Sequence, residues 1–334
     1  MTPRVSAVIP TRGRPDLVVR AVRSALGQTV ADVEVVVVLD GPDPATSRSL
    51  AALSDGRLVV HVLPEHRGQC AATNAGIARA RGVWVGLLDD DDAWLPDKLE
   101  RQLAAAERSR HRHPILGGRV LARSEAGTHA GEGGDAGESR RPGDEVWPRR
   151  APQPGEPMSE YLLCRTTPFW GERLFQSSVI LAERELMLRV PFREELRRHS
   201  DLDWLIRAAG EEGVGIEFVP GAAPLAVWSV GRRSDRASSH PEWRSSLAWV
   251  RGLGDRVTPR AYASFLLTWL AAHAVTQGER RACAALLREA LRDGRPGPVE
   301  LLVFAAICGL PAGLRERLSR FGRRRGGASP RSLG

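Results

Sequence analysis

Four short apolar runs, Val5 to Ile9, Glu34 to Leu39, Leu58 to Leu63 and Val83 to Leu88, alternate with stretches of helical periodicity. In the first such stretch, Pro15 to Gln28, the residues Leu17, Val18, Ala21, Val22, Ala25 and Leu26 fall on one stripe, and Pro15 suits a first helical turn. Helices are expected again at Ala45 to Leu53 and Gln69 to Ala80. Strands alternating with helices predict a parallel sheet built of right-handed βαβ units. In open sheets of that kind ligands bind at the carboxyl ends of the strands. Those ends carry Pro10 and Thr11, Asp40, Glu65 to Arg67, and Asp89 to Asp92, so four pieces of chain bring polar groups to one edge.

The fourth run ends in four consecutive carboxylates, Asp89, Asp90, Asp91 and Asp92. Adjacent carboxylates raise one another's pKa values, which solvation relieves and a hard divalent cation relieves better. A cation site and a solvated acidic turn ahead of the next helix are the two readings of this run.

Beyond Pro96 a helix runs to about Arg108, and Ile115 to Leu121 reads as a strand. Ser124 to Glu156 is rich in Gly, Pro and charge, so residues 124–157 are expected to be a flexible loop, either a lid or a disordered excursion. Order resumes near Tyr161, with strands expected at Leu174 to Leu181, Gly215 to Val219 and Leu225 to Val230, and a helix at Ser200 to Gly210. Ser200 and Asp203 match a capping box at the start of that helix. From His240 onward only amphipathic helices are expected, which sets a domain boundary: 1–235 as the α/β domain and 240–334 as a helical extension. His111, His113 and His129 fit no metal-ligand spacing and read as surface residues, and the Gly-rich run 131–137 lacks the strand and helix that a phosphate loop needs.

Composition narrows the class. Apolar residues make up 42% of the 334, as in a globular protein rather than a disordered one. The net charge of +8 is concentrated in the last twenty residues, where seven Arg face one Glu. Lys98 is the only lysine, so the arginine excess reads as a compositional bias rather than as phosphate contacts. Cys70, Cys164, Cys283 and Cys308 lie far apart, suggesting neither a zinc site nor a disulfide framework, and fit a reducing cytosol. The first fifteen residues lack the apolar core of a signal peptide. Neither Ala261 to Gly278 nor Leu301 to Leu314 has the run of about 20 apolar residues that a spanning helix needs. The location expected is cytoplasmic, with the inner face of the membrane as a peripheral docking place.

The motifs, taken together, resemble one family. Ser6-Ala7-Val8-Ile9-Pro10-Thr11, Leu26-Gly27-Gln28-Thr29, Val36 to Gly41, Asn74-Ala75-Gly76, Leu88 to Asp92 with Trp94-Leu95-Pro96, and His199 to Trp204 resemble family 2 glycosyltransferases in order and spacing, over roughly residues 4–232. The resemblance implies a GT-A (Rossmann-like) fold, mostly parallel sheet flanked by helices, and a nucleotide-diphosphate sugar as donor. It also implies a Mn²⁺ or Mg²⁺ ion and transfer with inversion at the anomeric carbon to an acceptor hydroxyl.

The resemblance also implies roles. Pro10 and Thr11 lie beside the base, Asp40 bonds the base or ribose, Asp92 is the metal ligand, and Asp90 or Asp91 contacts the ribose or supports the ion. Asp201 matches the catalytic base, with Asp203 as helix cap or acceptor contact, since two residues apart on a helix they face different sides. Arg14 and Asn74 join the donor-site candidates. Many relatives carry Arg-Asn where this chain has Thr73-Asn74, and Arg67 is the candidate replacement for that arginine. Gln176, Ser177, Ser178 and Trp170 are candidates for lining the sugar or acceptor pocket.

Two other readings compete. One is a sugar-phosphate nucleotidyltransferase, for which Thr11-Arg12-Gly13-Arg14 is a faint match to the expected Gly-rich segment. The other is a non-catalytic protein that binds an anionic membrane through Arg315 to Arg331, where Leu310, Leu314, Leu318 and Phe321 suggest an interfacial helix. No basic and aromatic platform for nucleic acid is evident.

Overall fold

The structure is a computed structural model that describes residues 2–124, 141, 143–167, 172–230 and 243–310. The expected alternation opens the chain: β1 (Val5–Thr11), α1 (Pro15–Leu26), β2 (Val33–Leu39), α2 (Pro44–Ala51), β3 (Leu58–Val62), α3 (Gln69–Arg79) and β4 (Trp84–Leu87). Next come β5 (Ala93–Trp94), α4 (Lys98–Glu107), β6 (His113–Gly117), β7 (Val120–Ser124), β8 (Glu145–Trp147) and α5 (Met158–Leu163). A 3-10 turn at Ser177–Val179 leads into β9 (Leu181–Glu183), α6 (Arg184–Arg189), α7 (Ser200–Ala208), β10 (Val214–Phe218) and β11 (Ala226–Val230). The helices α8 (Trp243–Gly252), α9 (Pro259–Ser264), α10 (Ala271–Thr276), α11 (Ala282–Asp293) and α12 (Pro298–Gly309) follow, with a π-helical stretch, Phe265–Leu270, joining α9 to α10.

By contacts the chain divides into two compact units, 1–152 with 175–239, and 153–174 with 240–334. The first holds a seven-stranded sheet in the order β10-β6-β9-β4-β1-β2-β3 and a four-stranded sheet in the order β5-β11-β7-β8. In the large sheet β1 runs parallel to β2 and β4, and only β9 is antiparallel to its neighbours. Val35 through Leu39 are fully buried, which explains an unbroken apolar run instead of an alternating one. Burying each such side chain stabilises the fold by about 1.5–3 kcal/mol. Parallel register places Thr11 opposite Leu39 and Val8 opposite Leu87. The residues that follow, Asp40 and Asp89, therefore emerge at the same edge of the sheet as Thr11.

Several expectations are corrected. Ile115 to Leu121 is not one strand: it breaks at Gly117 and Gly118 into β6 and β7, which belong to different sheets. A Cβ on Gly117 would sit 2.4 Å from the Phe175 ring, and one on Gly118 would sit 2.2 Å from Leu225 Cδ1, so close packing demands glycine at the break. Leu174 to Leu181 gives the 3-10 turn and the start of β9. Within the stretch expected to be a loop, Glu145–Trp147 pairs with β7 as β8. His113 is buried, its Nδ1 2.5 Å from Glu183 Oε2, rather than on the surface. The Ser200 capping box does not form, because His199, at φ 60°, is the cap and Asp203 is taken by Arg207. His129, Trp170, the run 131–137 and the tail from Arg315 lie outside the described residues.

The second unit is helical. Its central helix, Pro259 through Thr276, is largely apolar because most of it is buried: Ala261, Ala263, Leu266, Leu267, Leu270, Ala271 and Ala274 are all inaccessible, and Arg260 and Thr276 near its ends are exposed. Its packing includes α5, where the Ser159 and Glu160 side chains bond Thr258 at 3.3 and 2.9 Å. Among the described residues no helix is long and apolar enough to cross a membrane.

Candidate active site

The acidic run is presented by the turn between β4 and β5, closed by the Asp92 N–H donating to the Asp89 carbonyl at 3.1 Å. Oxygens of Asp89, Asp91 and Asp92 gather within 4.8 Å of one another. Asp92 is wholly buried. It accepts from Gln176 Nε2 at 2.5 Å, Ser178 Oγ at 2.7 Å and the Ser229 N–H at 2.9 Å. Asp89 accepts from Ser177 Oγ at 2.5 Å and Gln69 Nε2 at 3.1 Å. Burial pushes the Asp89 carboxyl up to about 7; the Ser177 hydroxyl opposes the rise, and the charges of Asp91, Asp90 and Asp201 add to it. Asp92 is held well above the ordinary carboxylate range by burial, then by Asp89 and Asp91. Three crowded carboxylates, of which Asp89 and Asp92 resist ionising alone, are a donor set suited to a hard divalent cation, all oxygen and carrying up to three negative charges.

Asp90 departs from expectation. It is turned away from the carboxylate group and accepts from Thr11 Oγ1 at 2.7 Å and Arg14 at 2.9 Å. The carboxylates that gather with Asp92 are Asp89 and Asp91 instead. Arg14 also reaches Asp91 at 3.3 Å, so Thr11, Arg14, Asp90 and Asp91 form one connected group at the end of β1. Pro10, one residue earlier in β1, is buried opposite Val38.

Asp40, at the end of β2, accepts the N–H groups of Arg67 at 2.7 Å and Gly68 at 2.9 Å, and its Oδ2 lies 2.6 Å from His66 Nδ1. It thereby fastens the loop before α3. That approach requires Gly41, at φ 101°, where a Cβ would meet the His66 nitrogen at 3.1 Å. The Arg67 guanidinium is half exposed and paired with Glu194 at 2.6 Å. Asn74 exchanges bonds with the backbone of Phe192, donating to its carbonyl at 2.8 Å and accepting its N–H at 2.9 Å. Asn74 therefore anchors the 192–194 segment.

The two carboxylates of α7 have different surroundings. Asp203 is inaccessible and lies between Arg207 at 2.6 Å and Arg193 at 3.4 Å. Asp201 accepts the N–H of Leu202 at 2.9 Å, and burial raises its pKa. It is close enough to Asp89 for its charge to contribute to the rise there. A carboxylate with raised pKa beside such an acidic group is equipped to accept a proton.

Residues 6–133 match the sequence family described as glycosyl transferase family 2. Over 105 residues, 31% of this chain, the sequence is 43% identical to the succinoglycan biosynthesis protein ExoO of Rhizobium meliloti, covering 30% of that protein. Over 103 residues it is 36% identical to the putative teichuronic acid biosynthesis glycosyltransferase TuaG of Bacillus subtilis, covering 41% of it. The matches thus span less than half the length of either relative. The crystal structure of S. aureus TarS 1–349 in complex with UDP-GlcNAc superposes with a TM-score of 0.59 at 16% identity, over 96% of this chain and 92% of that one. That likeness is one of fold, and the fold is that of GT-A glycosyltransferases.

Several bonds around these carboxylates escaped the sequence reading. Gln176, Ser177 and Ser178, expected along a sugar or acceptor pocket, instead hold Asp89 and Asp92. Arg20 donates to the Asp91 carbonyl and to Ser229 Oγ, although it reads only as a polar position of α1. Ser229 is 137 residues from Asp92, and no local signal links them.

Proposed function

We propose that this chain is a metal-dependent, inverting glycosyltransferase that moves a sugar from a nucleotide-diphosphate sugar to an acceptor hydroxyl. The observation that carries the reading is the gathering of Asp89, Asp91 and Asp92 at the carboxyl edge of the sheet, with Asp201 close by. Asp92, Asp89 and Asp91 would hold Mn²⁺ or Mg²⁺, which when bound neutralises charge on the departing nucleoside diphosphate. Thr11, Arg14, Asp90 and the Asp40 loop line the nucleoside side. Asp201 accepts the proton of the acceptor hydroxyl as its oxygen bonds the anomeric carbon from the face opposite the leaving group. The bond from that carbon to the phosphate oxygen breaks, and its electron pair leaves with the nucleoside diphosphate. Asp203, held between two arginines, fixes the helix that presents Asp201.

The names of the relatives, concerned with succinoglycan and teichuronic acid biosynthesis, support an acceptor belonging to a cell-surface polysaccharide. The arginine-rich sequence from Arg315, outside the described residues, supports a peripheral position on the inner face of the membrane. The deciding experiment is calorimetric titration of a panel of nucleoside diphosphates, with and without Mn²⁺, into the wild type and Asp92→Ala. One nucleotide should bind with metal and lose affinity in the variant. If none binds the folded wild type at millimolar concentration, the transferase reading fails.

A further inference from the structure

Beneath the 3-10 turn that holds Asp89 and Asp92 lies a layer of buried polar side chains with no part in the chemistry above. Ser178 is the link between the two layers. Its Oγ donates to Asp92 Oδ2 at 2.7 Å and accepts the Asp89 N–H at 3.0 Å, while its carbonyl accepts Trp94 Nε1 at 2.7 Å. One residue on, the Val179 carbonyl accepts Gln102 Nε2 at 2.7 Å, and the same amide nitrogen reaches the Leu116 carbonyl at 3.2 Å. Gln102 Oε1 in turn accepts from Lys98 Nζ at 2.6 Å, one helical turn earlier on α4. Lys98 Nζ also sits 3.9 Å over the Trp94 ring. Lys98, Gln102 and Ser178 are wholly inaccessible, and Trp94 is nearly so.

Packing alone does not account for the chain's single lysine in such a place. A Met or Leu would fill the volume without stripping water from an amine. What an apolar residue lacks is an N–H. An amide has a donor end and an acceptor end that interchange by a flip, and only a donor facing Oε1 keeps the Nε2 donors of Gln102 on the two carbonyls.

We propose that Lys98 is a positioning residue: by fixing the amide of Gln102 it clamps the Ser177–Val179 turn, and through Ser178 it sets the spacing of Asp89 and Asp92. The inference rests on the metal-dependent reading above and adds a specific consequence to it. Residues that orient metal ligands from behind change metal affinity by about 10–100-fold when removed.

The test titrates Mn²⁺ alone, to millimolar concentration, into the full chain and follows free Mn²⁺ by electron paramagnetic resonance, with thermal unfolding recorded separately. Lys98→Met should weaken Mn²⁺ at least tenfold. The double variant Lys98→Met, Gln102→Met also strips the donor from the Val179 and Leu116 carbonyls, so it should be less stable than the wild type and at least as weak for Mn²⁺ as Lys98→Met. Were Lys98 merely structural, both variants would lose stability while their Mn²⁺ affinity stayed that of the wild type. Trp94→Phe keeps an aromatic side chain, loses the five-membered ring that donates to the Ser178 carbonyl, and should also weaken Mn²⁺; it carries the test if Lys98→Met does not fold. Folded variants that bind Mn²⁺ within twofold of the wild type overturn the positioning role while leaving the metal site standing. A wild type that takes up no Mn²⁺ overturns both.

Discussion

Asp201 and Asp203 stand two residues apart in one helical turn, yet the fold separates their work. Asp203 is inaccessible and shared by Arg207 and Arg193, whereas burial raises the pKa of Asp201 beside the acidic group. Asp201→Asn should lower kcat by about 10²–10⁴-fold while nucleotide affinity is retained, measured with the donor that the binding panel identifies. Asp203→Ala should instead destabilise the fold, by about 3–5 kcal/mol in urea unfolding, because it strands buried arginine charge. The acidic group also gives a pH dependence. Asp89, near 7, and Asp92 hold protons in the folded state that they release near 4 when unfolded. Their contribution to stability is therefore full below about 4 and falls as pH rises through 7. A divalent cation favours the ionised forms, so the rise in Tm on adding Mn²⁺ should grow from pH 5.5 to 8. A rise that is flat with pH, or one that Asp92→Ala retains, would contradict the assignment. Lys98 runs the other way: burial draws its pKa well below 10.5, so its contribution to stability increases as pH climbs towards the unfolded value. Being the only lysine, it gives a single side-chain NMR signal, and that signal should titrate far below pH 10.

Among the elements, glycines decide where the sheet changes course. The sequence from Ile115 to Leu121 has the apolar content of one strand, and nothing in its periodicity marks a change of sheet. The break arises because Phe175 and Leu225 press against the backbone at Gly117 and Gly118. Gly118→Ala, placing a methyl 2.2 Å from Leu225 Cδ1, should cost about 1–3 kcal/mol, read as a lower denaturant midpoint at unchanged slope. The strands β1, β2 and β4 and the helices between them were legible because each carries its own period and its own stop signal. The 3-10 turn at Ser177–Val179 was not, since its residues are chosen for what they bond rather than for a repeating face. Asp203 matched a capping motif for the same reason, its spacing to Ser200 being right while Arg207 and Arg193 hold its carboxylate.

Taken whole, each unit is discontinuous in sequence: residues 153–174 leave the α/β unit and group with the helices after 240. The α5 residues Met158, Tyr161 and Leu163 are buried, with Ser159 and Glu160 bonded to Thr258. A fragment ending at residue 239 should therefore expose that apolar face and aggregate. A version that also removes 153–174, joining 152 to 175, should be the more soluble, as size-exclusion chromatography would show. Equal behaviour of the two would mean that α5 does not depend on the C-terminal helices. Local periodicity in the sequence determined the order of strands and helices through β4 and the edge at which Thr11, Asp40 and the four aspartates emerge, because strand direction fixes where each strand ends. Only the tertiary structure decided that Asp89 and Asp91 join Asp92 while Asp90 turns to Arg14, that Ser229 closes the site from 137 residues away, and that the lone lysine lies beneath it. Those choices depend on which side chains long-range packing brings within hydrogen-bond reach, and no local pattern encodes that.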